Sequence, residues 1–241
     1  MNKPQQFKAK VSEHILINEA FQYIQLELLE PYRMAFEAGQ FVSIDIGGGE
    51  RRSYSIASAP VNNHGVEICV DVTPGGKGSH FLKGLKPGDE VNFLGPMGQL
   101  VVAPQSLAAE LVEKKLLLVA TGSGIAPFRS MILDLLEERE DKREIRLYWG
   151  LRSVSDMFWV EDFRRLHKFH DNFDFTMCLS KPPKHWPLNA GHVTELIDQD
   201  IKFDANWGVY LCGNQHMIKD VSSLVEGKGV PKEQVHFERF F

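Results

Sequence analysis

Apolar and polar side chains alternate over short runs through residues 7–103. Phe7-Lys8-Ala9-Lys10-Val11, Tyr23-Ile24-Gln25-Leu26-Glu27-Leu28, Gln40-Phe41-Val42-Ser43-Ile44-Asp45-Ile46, Val66-Glu67-Ile68-Cys69-Val70-Asp71-Val72 and Glu90-Val91-Asn92-Phe93-Leu94 all carry a two-residue period. A strand sends successive side chains to opposite faces, so this period predicts strands with one buried face. Gly47-Gly48-Gly49, Thr73-Pro74-Gly75-Gly76 and Lys86-Pro87-Gly88-Asp89 supply turn chemistry between them. Short strands separated by such turns predict a small antiparallel barrel or sandwich.

The pattern changes from residue 112 onward. Lys114-Lys115-Leu116-Leu117-Leu118-Val119-Ala120 runs apolar without alternation, as a strand buried on both faces of a parallel sheet must. Over 128–140 the spacing turns helical, with Met131, Ile132, Leu135 and Leu136 on one face and acids on the other. Strands at 144–149, 173–179 and 207–212 then alternate with helices at 162–170, 192–198 and 215–226. This order predicts a doubly wound parallel-sheet α/β domain. The expected division is a β-barrel domain over 1–103, a linker at 104–113 and the α/β domain over 114–241. The crevice between two such domains is the natural place for a ligand.

Composition mainly excludes. With 241 residues, 43% hydrophobic and 24% charged, the chain has material for two globular cores. A net charge of -5 gives no chain-wide attraction to phosphate backbones, so nucleic acid is not an expected partner. No apolar run nears the ~20 residues that span a bilayer, and no signal-peptide pattern follows Met1. No membrane insertion and a cytoplasmic location are expected. Cys69, Cys178 and Cys212 are far apart and the nine histidines form no His-Glu-x-x-His pattern, so no metal, cluster or disulfide framework is expected.

Two stretches carry chemistry. Thr121-Gly122-Ser123-Gly124-Ile125-Ala126-Pro127 lies where the first buried strand gives way to a helix. Its glycines allow close backbone approach, and the free amides of the helix suit an anion such as pyrophosphate. Pro127 takes the place of the third glycine of the usual dinucleotide fingerprint, and no P-loop sequence occurs. The second stretch, Arg51-Arg52-Ser53-Tyr54-Ser55-Ile56-Ala57-Ser58, crowds two cations, an aromatic ring and three hydroxyls into eight residues of strand.

Arg52-Ser53-Tyr54-Ser55, Gly76-Lys77-Gly78-Ser79, Gly95-Pro96-Met97-Gly98, Thr121 to Pro127, Tyr148-Trp149-Gly150-Leu151-Arg152, Cys212-Gly213-Asn214 and a terminal aromatic occur in that order. Together, over roughly residues 7–241, they resemble the ferredoxin–NADP reductase superfamily of flavoproteins. The resemblance implies a flavin-binding barrel followed by a nicotinamide-nucleotide domain, with FAD and NADPH or NADH as cofactors. Tyr54 would stack on the isoalloxazine, Arg52 would neutralise the pyrophosphate and Ser55 would hydrogen-bond near the hydride-accepting nitrogen. A planar guanidinium suits phosphate and an aromatic face suits a conjugated ring, so the residue types agree. Ser53 belongs to the motif, although alternation turns it and Arg51 to the other face. Ile56-Ala57-Ser58 would pass the flavin edge, and Cys69 and Val70 lie on the strand beside it. Gly76, Lys77, Gly78 and Ser79 would open a short helix toward the flavin pyrophosphate.

In the second half, the resemblance assigns Thr121, Gly122, Gly124 and Pro127 to the nicotinamide dinucleotide and Arg152 to its adenosine end. Asp156 and Trp159 fall where relatives carry an Asp and a Tyr, so Trp159 departs from the pattern. Ser180 and Lys181 resemble a Ser-Arg pair that holds the 2′-phosphate of NADP, but lysine lacks the arginine fork. Cys212 and Gly213 would stand by the nicotinamide, Glu238 would be the terminal acid, and Phe241 would cover the flavin. Ser55, Cys212 and Glu238 are the implied catalytic positions. The implied activity is hydride transfer between NAD(P)H and FAD, with electrons passed to a separate ferredoxin or flavodoxin. An NAD(P)H–flavin reductase using free flavin, an oxygenase reductase component, and a non-catalytic flavin-binding redox sensor are the alternatives.

Overall fold

The computed structural model describes residues 3–103 and 113–239. The chain forms two compact units, Met1–Val102 with Ala126–Arg139, and Ala103–Ile125 with Glu140–Phe241.

In the first unit, β1 (Gln5–Leu16), β2 (Phe21–Glu30), β3 (Phe41–Gly47), β4 (Glu50–Ser55), β5 (Gly65–Asp71) and β6 (Glu90–Met97) form one sheet. Its order is β4-β3-β6-β1-β2-β5 and every pairing is antiparallel. The two edges meet where Ile56, just beyond β4, bridges to Ile68 on β5. The Ala57 amide adds a bond to the Glu67 carbonyl at 2.7 Å, so the sheet closes on itself as the expected barrel. Alternation explains its interior. Phe7, Ala9 and Val11 are fully buried, whereas Lys8 and Lys10 face outward and pair with Glu90 and Glu27. Phe7 stacks on Phe93 at 5.3 Å, in a core that also holds Ile24, Leu26, Val42 and Ile44.

Two helices complete this unit. α1 (Lys77–Gly84) begins four residues before the apolar Phe81-Leu82 pair that marks it in the sequence. α2 (Ile125–Leu133) continues through a wider π-type turn at Asp134–Glu138. Met131, Ile132, Leu135 and Leu136 are all buried, as their spacing predicts. All of this helix but Ile125 belongs to the barrel unit.

The second unit is a parallel sheet. Its elements are β7 (Lys115–Thr121), β8 (Glu144–Leu151), α3 (Val160–Phe169), β9 (Phe173–Leu179), β10 (Asn189–Ala190), α4 (Val193–Asp200), β11 (Trp207–Gly213), α5 (Gln215–Gly227) and β12 (Val235–Arg239). The sheet order β10-β9-β8-β7-β11-β12 reverses direction of growth at β7. Val193 and Ile197 of α4 and Met217, Val221 and Val225 of α5 pack with Val119, Tyr148 and Leu211 on one face. Trp149, the next residue along β8, points the other way and meets Phe163 of α3 edge-on.

β12 is an addition to the sequence reading. Val235–Arg239 pairs in parallel with Val209–Gly213 as an edge strand, where a short terminal segment reads as a tail. Arg143 supplies a further tie. Its guanidinium makes a buried pair with Asp141 at 2.6 Å and donates to the carbonyls of Ala103 and Glu113 at 3.0 and 3.4 Å. Those two carbonyls flank residues 104–112. Among the described residues no helix is long and apolar enough to cross a membrane.

Candidate functional site

Strand β4 turns Glu50, Arg52 and Tyr54 to the same face, since alternate residues share a face. The start of α1 comes to that face. Gly78 leaves no room for a side chain, because a Cβ there would stand 2.6 Å from the Tyr54 hydroxyl and 3.0 Å from Arg52 Cγ. No side chain caps α1, whose N-cap is Gly76, so its first amides are open to an anion. Arg52 Nη2 donates to Glu50 Oε2 at 3.1 Å, and Lys77 Nζ pairs closely with Glu50 Oε1. The bond from Lys77, with the Arg52 contact behind it, holds the Glu50 carboxyl below its ordinary range. Burial pushes the Tyr54 phenol up to about 12, against the opposing charge of Arg52, so the ring carries a neutral hydroxyl at neutral pH.

The other positions that the resemblance assigns to the flavin are placed as follows. Ser55 is buried at the end of β4, opposite Phe41 of β3. Ser53 is exposed, and Arg51 is held on its own side by the Ser43 carbonyl at 2.6 Å and Asp45 at 3.7 Å. Cys69 and Val70 are buried in β5, with Cys69 opposite Tyr23. Ser79 is half-buried in the first turn of α1.

Sequence reasoning missed the supports of the segment beyond β4. Arg129 of α2 donates to the Ala57 carbonyl at 2.9 Å and to Glu67 at 2.7 Å. Ser130 donates to the Ser58 carbonyl at 2.6 Å. In the sequence Arg129 reads as a solvent cation on a helix, and nothing local marks its partner more than sixty residues away. Glu50 was missed for the same reason, since Lys77 is 27 residues from it.

In the second unit, β7 ends in the turn Gly122–Gly124 and β11 ends beside it at Cys212–Gly213. This is where the sheet order reverses, the position at which open α/β sheets receive ligands. Backbone meets backbone there. A Cβ on Gly124 would stand 2.3 Å from the Cys212 carbonyl oxygen and 2.9 Å from Gly213 Cα. Gly213 has φ +130°, and a Cβ there would stand 2.3 Å from Thr121 Oγ1. That hydroxyl accepts the Asn214 amide at 2.8 Å, and Asn214 in turn caps α5 by accepting from His216 N–H at 2.8 Å. The turn and the end of β11 are thus packed backbone on backbone and locked in place.

Cys212 is fully buried within β11, in register with Glu238 of β12. Burial, with the Glu238 charge, pushes its thiol well above the ordinary range, so it is a neutral thiol. Pro127 is buried near the start of α2 and groups with the barrel unit. Arg152 and Lys181 are exposed at the ends of β8 and β9, and the Lys181 amide donates to the Arg152 carbonyl at 2.7 Å, with Ser180 bonded likewise to Leu151 at 3.0 Å. Ser153 and Asp156 fix the next turn, the Ser153 amide and hydroxyl both donating to Asp156 Oδ2 at 2.9 Å. Trp159 adopts φ +52° at the start of α3, an uncommon conformation for a non-glycine residue. Phe241 lies outside the described residues.

Comparison with known proteins finds two oxidoreductase domains in the chain. Residues 8–102 match an oxidoreductase FAD-binding domain and residues 118–223 an oxidoreductase NAD-binding domain. The reductase component of propane 2-monooxygenase from Mycolicibacterium goodii is 30% identical over 224 residues, 90% of this chain and 62% of that protein. The chain thus spans less than two thirds of that relative. Ferredoxin–NADP reductase B from Sorangium cellulosum is 33% identical over 215 residues, 85% of each chain. Among solved structures, the Amycolatopsis cytochrome P450 reductase GcoB matches with a TM-score of 0.90 at 28% identity, covering 100% of this chain and 71% of that one. The Arg52, Tyr54 and Gly78 cluster lies in the stretch that matches an FAD-binding domain and the glycine turn after β7 in the stretch that matches an NAD-binding domain; the chain belongs to the ferredoxin–NADP reductase superfamily, with FAD and NAD(P) as its cofactors.

Proposed function

We propose that this chain is an NAD(P)H-dependent flavoprotein reductase that delivers electrons to a separate protein carrier, a ferredoxin or flavodoxin. The observation that carries the reading is the Arg52–Tyr54–Gly78 cluster, in a chain whose other unit packs a glycine turn against the end of a neighbouring strand where the sheet order reverses. Bound FAD supplies the conversion of a hydride's electron pair into single electrons. The chain's own residues bind and orient. Arg52, Lys77 and the open amides of α1 meet the pyrophosphate charge, and Tyr54 offers an aromatic face. Ser55, one residue further along the strand, is buried, and the family resemblance gives its hydroxyl to the flavin ring. Gly124 and Gly213 let the turn after β7 pack directly on the end of β11, beside which the nicotinamide would lie, with Cys212 as a buried neutral packing thiol. No side chain has to shuttle a proton in the hydride step.

The Sorangium ferredoxin–NADP reductase, matched over 85% of both chains, supports a ferredoxin-type carrier. A second reading, the reductase component of an oxygenase, is favoured by the propane and phenol 2-monooxygenase relatives. Three cysteines are too few for a four-cysteine cluster within these 241 residues, so either reading sends electrons outside them. The test compares NAD(P)H-driven reduction of a purified acidic iron–sulfur or flavin carrier with reduction of free flavin across a salt series. Carrier reduction that falls as salt rises supports the proposal. Equally fast, salt-insensitive reduction of free flavin with no benefit from any carrier contradicts it.

A further inference from the structure

Glu50 bonds both cations of the proposed pyrophosphate site at once. Its Oε2 accepts from Arg52 Nη2 at 3.1 Å and its Oε1 from Lys77 Nζ. Among the described residues its ion pairs are with these two, and Arg51 points to the opposite face and is paired with Asp45 at 3.7 Å. The three side chains are 36%, 46% and 69% exposed for Glu50, Arg52 and Lys77. Exposed pairs of this kind contribute little to folding. What the arrangement does instead is put a carboxylate where a diphosphate must make its own contacts, beside the open amides of α1 and the Gly78 backbone.

We propose that Glu50 is a resident anion of the flavin-nucleotide site: it holds Arg52 and Lys77 in place when the site lacks nucleotide, and the incoming pyrophosphate displaces it from both. The inference rests on the reading of this cluster as the pyrophosphate site. Displacement gives the site a lower affinity than its two cations and helix end would otherwise provide. The carboxylate must be set aside, and its remaining charge repels the phosphates from a few ångströms away. One unit charge facing the phosphates across water amounts to about a fivefold change in affinity. Because the effect acts on charge, it falls on ligands with phosphates and spares the ring system.

The experiment uses the full chain freed of flavin and titrated with FAD and, separately, with riboflavin, following flavin fluorescence, for the wild type and the Glu50→Gln and Arg52→Ala variants. Melting curves confirm that each is folded, which the exposed positions favour. The expected result is that Glu50→Gln binds FAD about fivefold more tightly at low salt, that the gain shrinks at high salt, and that riboflavin binding is unchanged. FAD binding that weakens or stays the same in Glu50→Gln overturns the displacement, the former showing that Glu50 stays in the complex as a positioning bridge. A gain that extends equally to riboflavin also overturns it. Arg52→Ala separates this from the site reading. Weaker FAD binding there keeps the pyrophosphate site whatever Glu50 does, and unchanged binding removes the site and the inference together.

Discussion

Replacing Gly124 by Ala tests the nicotinamide half of the site with one methyl group. The added Cβ would lie 2.3 Å from the Cys212 carbonyl oxygen, 2.7 Å from its carbonyl carbon and 2.9 Å from Gly213 Cα. Carbon–oxygen contacts between neighbouring strands normally fall at about 3.3–3.6 Å, so the turn must retreat by about 1 Å. No side chain can rotate away, because all three atoms are backbone, and β11 is buried throughout. Overpacking of this kind costs about 1–3 kcal/mol. Against a typical stability of about 5–15 kcal/mol the variant still folds. Each kcal/mol lowers the melting temperature by about 2–4 °C in a chain of this size. The turn that retreats is the one proposed to carry the dinucleotide, whereas Arg52, Tyr54 and Gly78 lie in the other unit. The variant should therefore purify with full flavin content and need about tenfold more NAD(P)H to half-saturate flavin reduction in anaerobic rapid mixing, taking about 1.4 kcal/mol per decade. Wild-type nucleotide dependence together with a wild-type melting temperature would refute the close approach itself. A lowered melting temperature with unchanged nucleotide dependence would keep the packing and remove the turn from the binding site.

Two further outcomes are expected. Cys212→Ala should slow hydride transfer while leaving flavin content unchanged; an unaltered rate would make the buried thiol a packing residue only. Glu113 is buried, and burial alone would raise its pKa, but the bonds it accepts from His236 and Tyr210, both at 2.7 Å, bring its carboxyl below the ordinary range. A carboxyl depressed in the folded state stabilises above its unfolded pKa of about 4.3 and loses that contribution as pH falls through the folded value. Glu113→Gln should lower the melting temperature at neutral pH and flatten its decline below about pH 5, and parallel curves for the two proteins would contradict this.

Much of the fold is legible because burial leaves a period in the sequence. Phe7, Ala9 and Val11 against Lys8 and Lys10 announce a strand with one wet face, and Leu116 to Ala120 a strand with none. β12 was not legible. An edge strand of five residues buries too little to impose a pattern, and its pairing with β11 is parallel and long-range. The π-type turn at Asp134–Glu138 likewise leaves the apolar spacing of α2 intact and so hides within it. Arg52, Tyr54, Gly78, Gly124 and Gly213 were candidates from the sequence because their chemistry is local, an aromatic, a guanidinium and glycines at turns and element ends. Glu50, Arg129 and Ser130 were not. Each acts on a partner from a distant part of the chain, and a charged or hydroxyl residue looks the same in sequence whether or not such a partner exists. Glu113, at the end of the segment read as linker, shows the same limit, since Tyr210 and His236 reach it from 97 and 123 residues away.

The central claim is that one chain joins a nicotinamide nucleotide to a flavin. Anaerobic titration of the purified yellow protein with NADH and with NADPH tests it most directly. At least one nucleotide should bleach the flavin absorbance with one equivalent per flavin. A protein that stays yellow with both, while retaining its FAD, would contradict it and would be a flavin-binding module without reductase activity.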